Sequence, residues 1–147
     1  MTEHVLRVSR EFDAPRQLVF SCMVEPEHLT HFWGPVGMSA PLDKITADAR
    51  PGGTFATVMV NDADGSTYPT SARYLEVSAP ERLSWIEDHS GMTMIATFTD
   101  LGDDRTQVDI EQTNVPAQMM DPAAQAGFLT SLDRFAAHLA RLTAAAQ

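Results

Sequence analysis

The chain has one cysteine, Cys22, among its 147 residues, so no intrachain disulfide can form and stability has to come from burial. Positive charge is also scarce. Ten Lys and Arg stand against twenty Asp and Glu, for a formal net charge of −10. Proteins that bind nucleic acid neutralise phosphates with a basic stripe, and no such stripe is visible. The same deficit disfavours anionic membrane surfaces. No apolar run approaches the ~20 residues of a membrane-spanning helix. The first ten residues mix charge with valine, unlike a signal peptide. Repeats and low-complexity tracts are missing too. The expectation is a cytoplasmic protein forming one domain over residues 1–147, long enough for a real core.

Motifs that carry chemistry are equally sparse. No serine sits in a nucleophile-elbow context. Gly52-Gly53 precedes a strand pattern, not a helix, so it is no phosphate loop. Asp62-Ala63-Asp64-Gly65 lacks the remaining ligands and the glutamate of a calcium loop. His28 and His31, beside Glu25 and Glu27, faintly resemble metal ligands. Two histidines without a third ligand read better as a polar helix surface. Cys22 lies among apolar helix residues and reads as a core thiol. Neither a metal nor a cofactor is expected.

What is present is a strong helical pattern near the C-terminus. Asp121-Pro122 is a helix start, with the carboxylate as N-cap and proline at the first helical position. Phe128, Leu132, Phe135, Leu139 and Leu142 then recur at helical spacing, on one face. Gln125, Asp133, Arg134 and Arg141 fall on the opposite face and suit water. A helix of ~20 residues is ~30 Å long, so it needs a wide apolar surface to lie on.

The preceding chain supplies one. Residues Glu3 to Phe12 alternate as a strand. Asp13-Ala14-Pro15 caps a short helix to Cys22, and Glu25-Pro26 begins a second one to about Thr30. Leu42 to Ala49 reads as a strand closed by the turn Arg50-Pro51-Gly52-Gly53, with Asp48 and Arg50 fixing that turn. Phe55, Thr57 and Met59 alternate in the next strand. Four more strands follow, Tyr68 to Val77, Leu83 to Asp88, Met92 to Thr99 and Thr106 to Thr113. Their short connectors join antiparallel neighbours. The order is α+β: a strand, two short helices, a β-meander and a long helix.

Several segments together resemble a known family. They are Phe12-Asp13-Ala14-Pro15 with Val19-Phe20, Pro26-Glu27-His28-Leu29, Trp33-Gly34-Pro35, and Asp48 to Phe55. Asp64-Gly65, Glu76-Val77, Pro80-Glu81-Arg82-Leu83 and Gly127-Phe128 follow in order. The chain is similar to START-like (SRPBCC, Bet v I-type) proteins of the AHSA-type subgroup, over nearly its whole length. The resemblance implies the helix-grip fold: a curved antiparallel sheet of about seven strands gripping the long C-terminal helix, often around a cavity. Ala72 stands where the family usually has Gly, and Phe128 where it has Trp, which bears on the cavity's width. The chaperone-activator role belongs to larger proteins with additional segments, and the name alone does not carry it here.

Strand parity and helix face place Trp33, Phe55, Met59, Tyr74, Trp85, Glu87, Met94, Phe98, Phe128, Leu132 and Phe135 around the space between sheet and helix. Such a wall serves equally as a packed core or as a pocket, and its methionines suit an adaptable one. Glu87 is either a carboxylate aimed into the cavity, able to bind a polar group or act as a base, or a solvated residue beside the turn at His89. Three functions remain in play. The first is binding of a small, largely apolar molecule. The second is a cofactor-independent cyclase, dehydratase or hydrolase using Glu87 and Tyr74. The third is an accessory protein meeting a chaperone or another partner. A homodimer is left open.

Overall fold

A computed structural model describes residues 4–145. Glu3, the first residue of the expected N-terminal strand, lies outside them. That strand is β1 (Leu6–Phe12), followed by helices α1 (Arg16–Val24) and α2 (Pro26–Leu29). Two short strands, β2 (Met38–Ser39) and β3 (Thr46–Ala47), precede the meander of β4 (Thr54–Asn61), β5 (Thr67–Ser78), β6 (Arg82–Glu87), β7 (Thr93–Gly102) and β8 (Arg105–Thr113). Helix α3 (Pro122–Ala145) comes last. The strands form one eight-stranded antiparallel sheet in the order β1-β8-β7-β6-β5-β4-β2, with β3 also pairing β4. This is the helix-grip arrangement.

Local chemistry accounts for most boundaries. The β7–β8 hairpin turns on Asp103 and Asp104, both at positive φ, as a tight two-residue turn requires. In the turn before β4, Gly52 has φ +82° and Gly53 packs against backbone. A Cβ on Gly53 would lie 2.0 Å from the Asp48 carbonyl oxygen, so no side chain fits. At the start of α3, the Asp121 carboxylate accepts the Ala123 N–H at 2.9 Å, an N-terminal cap.

Two expectations need correction, and one strand is new. Leu42 to Ala49 is not a continuous strand: Leu42–Lys44 is a 3₁₀ turn, and only Thr46 and Ala47 pair, with Ala56 and Phe55. Met38–Ser39, unforeseen, pairs with Asn61 and Val60. Asp13 does not cap α1, whose N-cap is Pro15 with no side-chain bond. Its carboxylate is instead exposed, 3.6 Å from Arg105.

The core lies between the sheet and α3. Leu132, Phe135 and Leu139 are buried on the expected helix face, while Phe128 and Leu142 are half-buried. Phe135 stacks on Phe32 at 4.2 Å and meets Phe12 at 4.9 Å. Arg134 departs from its expected place in water. Its guanidinium donates to the carbonyls of Gly34, Pro35 and Met38 at 2.8, 3.1 and 3.0 Å. It therefore ties the loop after α2 to the middle of α3.

Arg134→Met should destabilise the protein by about 2–3 kcal/mol, because a charged donor is lost and its acceptors are left behind. Urea unfolding measures this. A loss under about 0.5 kcal/mol would mean that water already serves those carbonyls.

Candidate functional site

The sheet register sets the floor of the site. Residues opposite one another share a face, so Tyr74, Trp85, Met94, Gln112 and Leu6 form one row across β5, β6, β7, β8 and β1. Leu83, Ala96, Ile110 and Val8 form the neighbouring row. Above this floor α3 contributes Phe128, Ser131, Leu132 and Phe135, and the α1–α2 corner contributes Met23, Phe32 and Trp33. Together these groups border a partly open cavity of about 70 Å³, lined also by Trp85, Met94, Ile110 and Gln112.

Of the residues expected around this space, Trp33, Trp85, Met94, Phe128, Leu132 and Phe135 line it together. Phe55, Met59, Tyr74, Glu87 and Phe98 do not. Phe98 packs against Phe20 at 5.1 Å, below the cavity wall. Phe55 stacks between Tyr74 and the two tryptophans, at 5.7 Å from Tyr74 and 4.8 Å from Trp85. Met59 sits behind Gly34. Glu87 is half-buried at the end of β6, where Ser90 donates its hydroxyl to the carboxylate at 2.8 Å. Its place is therefore the β6–β7 turn.

Met23, Phe32, Ile110, Gln112 and Ser131 were not anticipated. For Gln112 the signal was present, because alternation from Val108 and Ile110 carries it to the same face. The Ser131 hydroxyl bonds back to the Phe128 carbonyl at 3.0 Å, and the Trp33 N–H donates to Thr57 at 3.2 Å. Gln112 is then the lining residue whose amide both donates and accepts. A wider depression of about 320 Å³ lies on the opposite sheet face, over Ser9, Thr97 and Asp109. It is open, and the exposed Arg7–Glu111 ion pair crosses it.

Some buried polar groups sit outside the cavity, and Tyr74 and His138 are the titratable ones of note. The Tyr74 hydroxyl is fully buried and has no hydrogen-bond partner among the described residues. Burial raises its pKa, and nearby Asp48 adds to the shift. At the far end of the core, α3 brings His138 against His28, with Nδ1 of His28 3.0 Å from Nε2 of His138. His31 stacks on His138 at 4.7 Å. Cys22, from α1, is close to both His28 and His138. The fold does not complete the pair His28 and His31: it brings Cys22 and His138 to His28 and leaves His31 stacked outside that group. Burial, with His31, His28 and Arg141 around it, lowers the His138 pKa to about 4. Burial pushes the Cys22 thiol up to about 12, with Glu25 adding to the effect.

With sheet, grip helix and cavity in place, comparison with known proteins decides the family. The family described as "Activator of Hsp90 ATPase homolog 1-like protein" (AHSA1) matches residues 13–140. The chain belongs to the AHSA1 family. Solved structures superpose closely on it. A protein from Nitrosomonas europaea is 26% identical, with a TM-score of 0.81 over 95% of this chain and 96% of that one. A protein from Chromobacterium violaceum is 24% identical, with a TM-score of 0.82 over 92% and 97%. The AHSA1 protein of Silicibacter pomeroyi is 24% identical, with a TM-score of 0.77 over 93% and 98%. No curated protein matches the sequence. Among the described residues, no helix of this AHSA1-family chain is long and apolar enough to cross a membrane.

Two predictions come from the buried polar groups. Tyr74→Phe should stabilise the protein by about 1–3 kcal/mol, since it deletes an unpaired buried hydroxyl. Destabilisation in urea unfolding would show that the hydroxyl has a partner. His138 has a folded pKa of about 4 against an ordinary 6.5, so the unfolded chain takes up its proton first. Stability from this residue is complete above about pH 6.5 and is lost as pH falls towards 4. Relative to His138→Phe in EDTA-containing buffer, the wild type should lose stability across that window. A constant difference from pH 7 to 4 would contradict the shift.

Proposed function

We propose that this protein binds a small, largely apolar molecule between the sheet and α3, as a single-domain, cytoplasmic binding protein. The observation that carries the reading is the lining: two tryptophans, three phenylalanines and two methionines around one amide, Gln112. Binding sites of this kind surround a ligand with apolar groups and orient it by a few polar ones. At about 70 Å³ the cavity is smaller than the ~150 Å³ that an engineered apolar site uses to hold benzene. The ligand therefore displaces side chains as it enters. Phe128, half-buried at the outer end of the lining, and the unbranched Met23 and Met94 are the ones able to give way.

Binding is favoured over catalysis because Glu87 and Tyr74, the groups through which chemistry was expected, sit outside this lining. The Glu87 carboxylate is engaged by Ser90, and the Tyr74 hydroxyl is sealed in the core. A polar head on the ligand would meet Gln112.

The experiment uses 1-hexanol as a probe with an apolar chain and one hydroxyl. It should change the fluorescence of Trp33 and Trp85, and raise the melting temperature through linkage. Met94→Trp should fill the cavity and abolish both responses without loss of fold. Gln112→Leu should weaken hexanol by about fivefold, the scale of one hydrogen bond. Equal responses from wild type and Met94→Trp would place binding elsewhere.

A further inference from the structure

Cys22, His28 and His138 come from three different helices and converge at the inner end of the core. Their ligand atoms all lie within 4.8 Å of one another. Cys22 and His138 are buried, and His28 is half-buried. We infer that this cluster is a metal site of the Cys-His-His type, suited to a thiophilic divalent ion such as zinc.

The geometry is close to what such an ion demands. Tetrahedral zinc, with bonds of about 2.0–2.1 Å to nitrogen and about 2.3 Å to sulfur, places its nitrogens about 3.3 Å apart and sulfur about 3.6 Å from each nitrogen. The two imidazole nitrogens are 3.0 Å apart, so seating an ion between them asks for a shift of a few tenths of an ångström. The Cys22 sulfur lies within 4.8 Å of both nitrogens, so it closes by at most about 1.2 Å to reach the spacing zinc sets. Ligand choice fits as well, since imidazole with thiolate is a zinc donor set. Three protein ligands leave a fourth position for water. His31, exposed, stacks flat on His138 beside the cluster.

One contact opposes the ion. Arg141 lies 3.4 Å from Nδ1 of His138 as a donor. With Nε2 on the metal, Nδ1 carries the proton and needs an acceptor, as metal-bound histidines usually have. Arg141 is exposed and can turn to solvent. Metal binding therefore moves the His138 proton from Nε2 to Nδ1, releases the Cys22 proton to water and frees the Arg141 contact. The ion would join α1 and α2 to α3, stapling the corner that also supplies Met23 and Phe32 to the cavity.

The test is anaerobic titration of the EDTA-stripped, reduced full chain with Co²⁺, followed by Zn²⁺. One equivalent of cobalt should give visible bands of four-coordinate intensity and a near-ultraviolet thiolate-to-cobalt band, all removed by zinc. Cys22→Ser should lose the thiolate band. His138→Gln should weaken cobalt by more than the roughly 10–100-fold that loss of an outer-sphere partner costs. Arg141→Glu changes only an exposed residue, so it keeps the test decisive if either ligand variant fails to fold. It should tighten binding by supplying the missing acceptor. Absence of the thiolate band in the wild type would overturn the inference, leaving at most surface binding by His28 and His31. Unchanged affinity in Arg141→Glu would overturn the assignment of Nε2 of His138 as a ligand.

Discussion

The structure depends on the burial of one apolar helix face against one apolar sheet face. Phe135 is the centre of that contact. It stacks on Phe32 from the α2 corner and touches Phe12 from the end of β1, so one ring links three parts of the chain. Without α3 the inward rows of β5 to β8 would face water, and a sheet with one wet apolar face does not persist alone. The curved sheet and the long helix are each other's missing half.

The contact is not uniform along α3. Leu139 and Phe135 are sealed, Leu132 nearly so, Phe128 half-buried, and Leu129 exposed. Leu142 at the other end is half-buried too, so packing loosens toward both ends of the helix, and the cavity lies at the N-terminal one. Arg134 holds the middle of α3 to the loop at Gly34 to Met38, which limits how far the helix can lift. What can move is therefore side chains at the N-terminal end, with the helix staying seated.

Much of this was legible from residue spacing. The α3 face, its Asp121-Pro122 start and the six longer strands follow from periodicity, because each is long enough for a pattern to show. Met38–Ser39 and Thr46–Ala47 are two-residue strands, formed because β4 offers them an edge. No local preference announces such pairs. Parity correctly turned Trp85 and Met94 inward but could not say how far along the sheet the cavity extends. So Tyr74 and Phe98 went to the core, while Gln112 joined the lining. Arg134 read as a solvent residue because charge suggests water, yet three carbonyls held it. His138 was invisible for another reason: its partners are about 110 residues away in sequence, and only the closed fold brings three helices to one point.

The central claim is an apolar, penetrable cavity between the sheet and the N-terminal half of α3. Diffraction from a crystal pressurised with xenon tests it without knowledge of the natural ligand, since xenon settles in dry apolar spaces of this kind. The account predicts a xenon atom bounded by Trp85, Met94, Phe128 and Leu132, with Phe128 displaced from its unpressurised position. A well-occupied xenon elsewhere in the protein, with none between the sheet and α3, would contradict it.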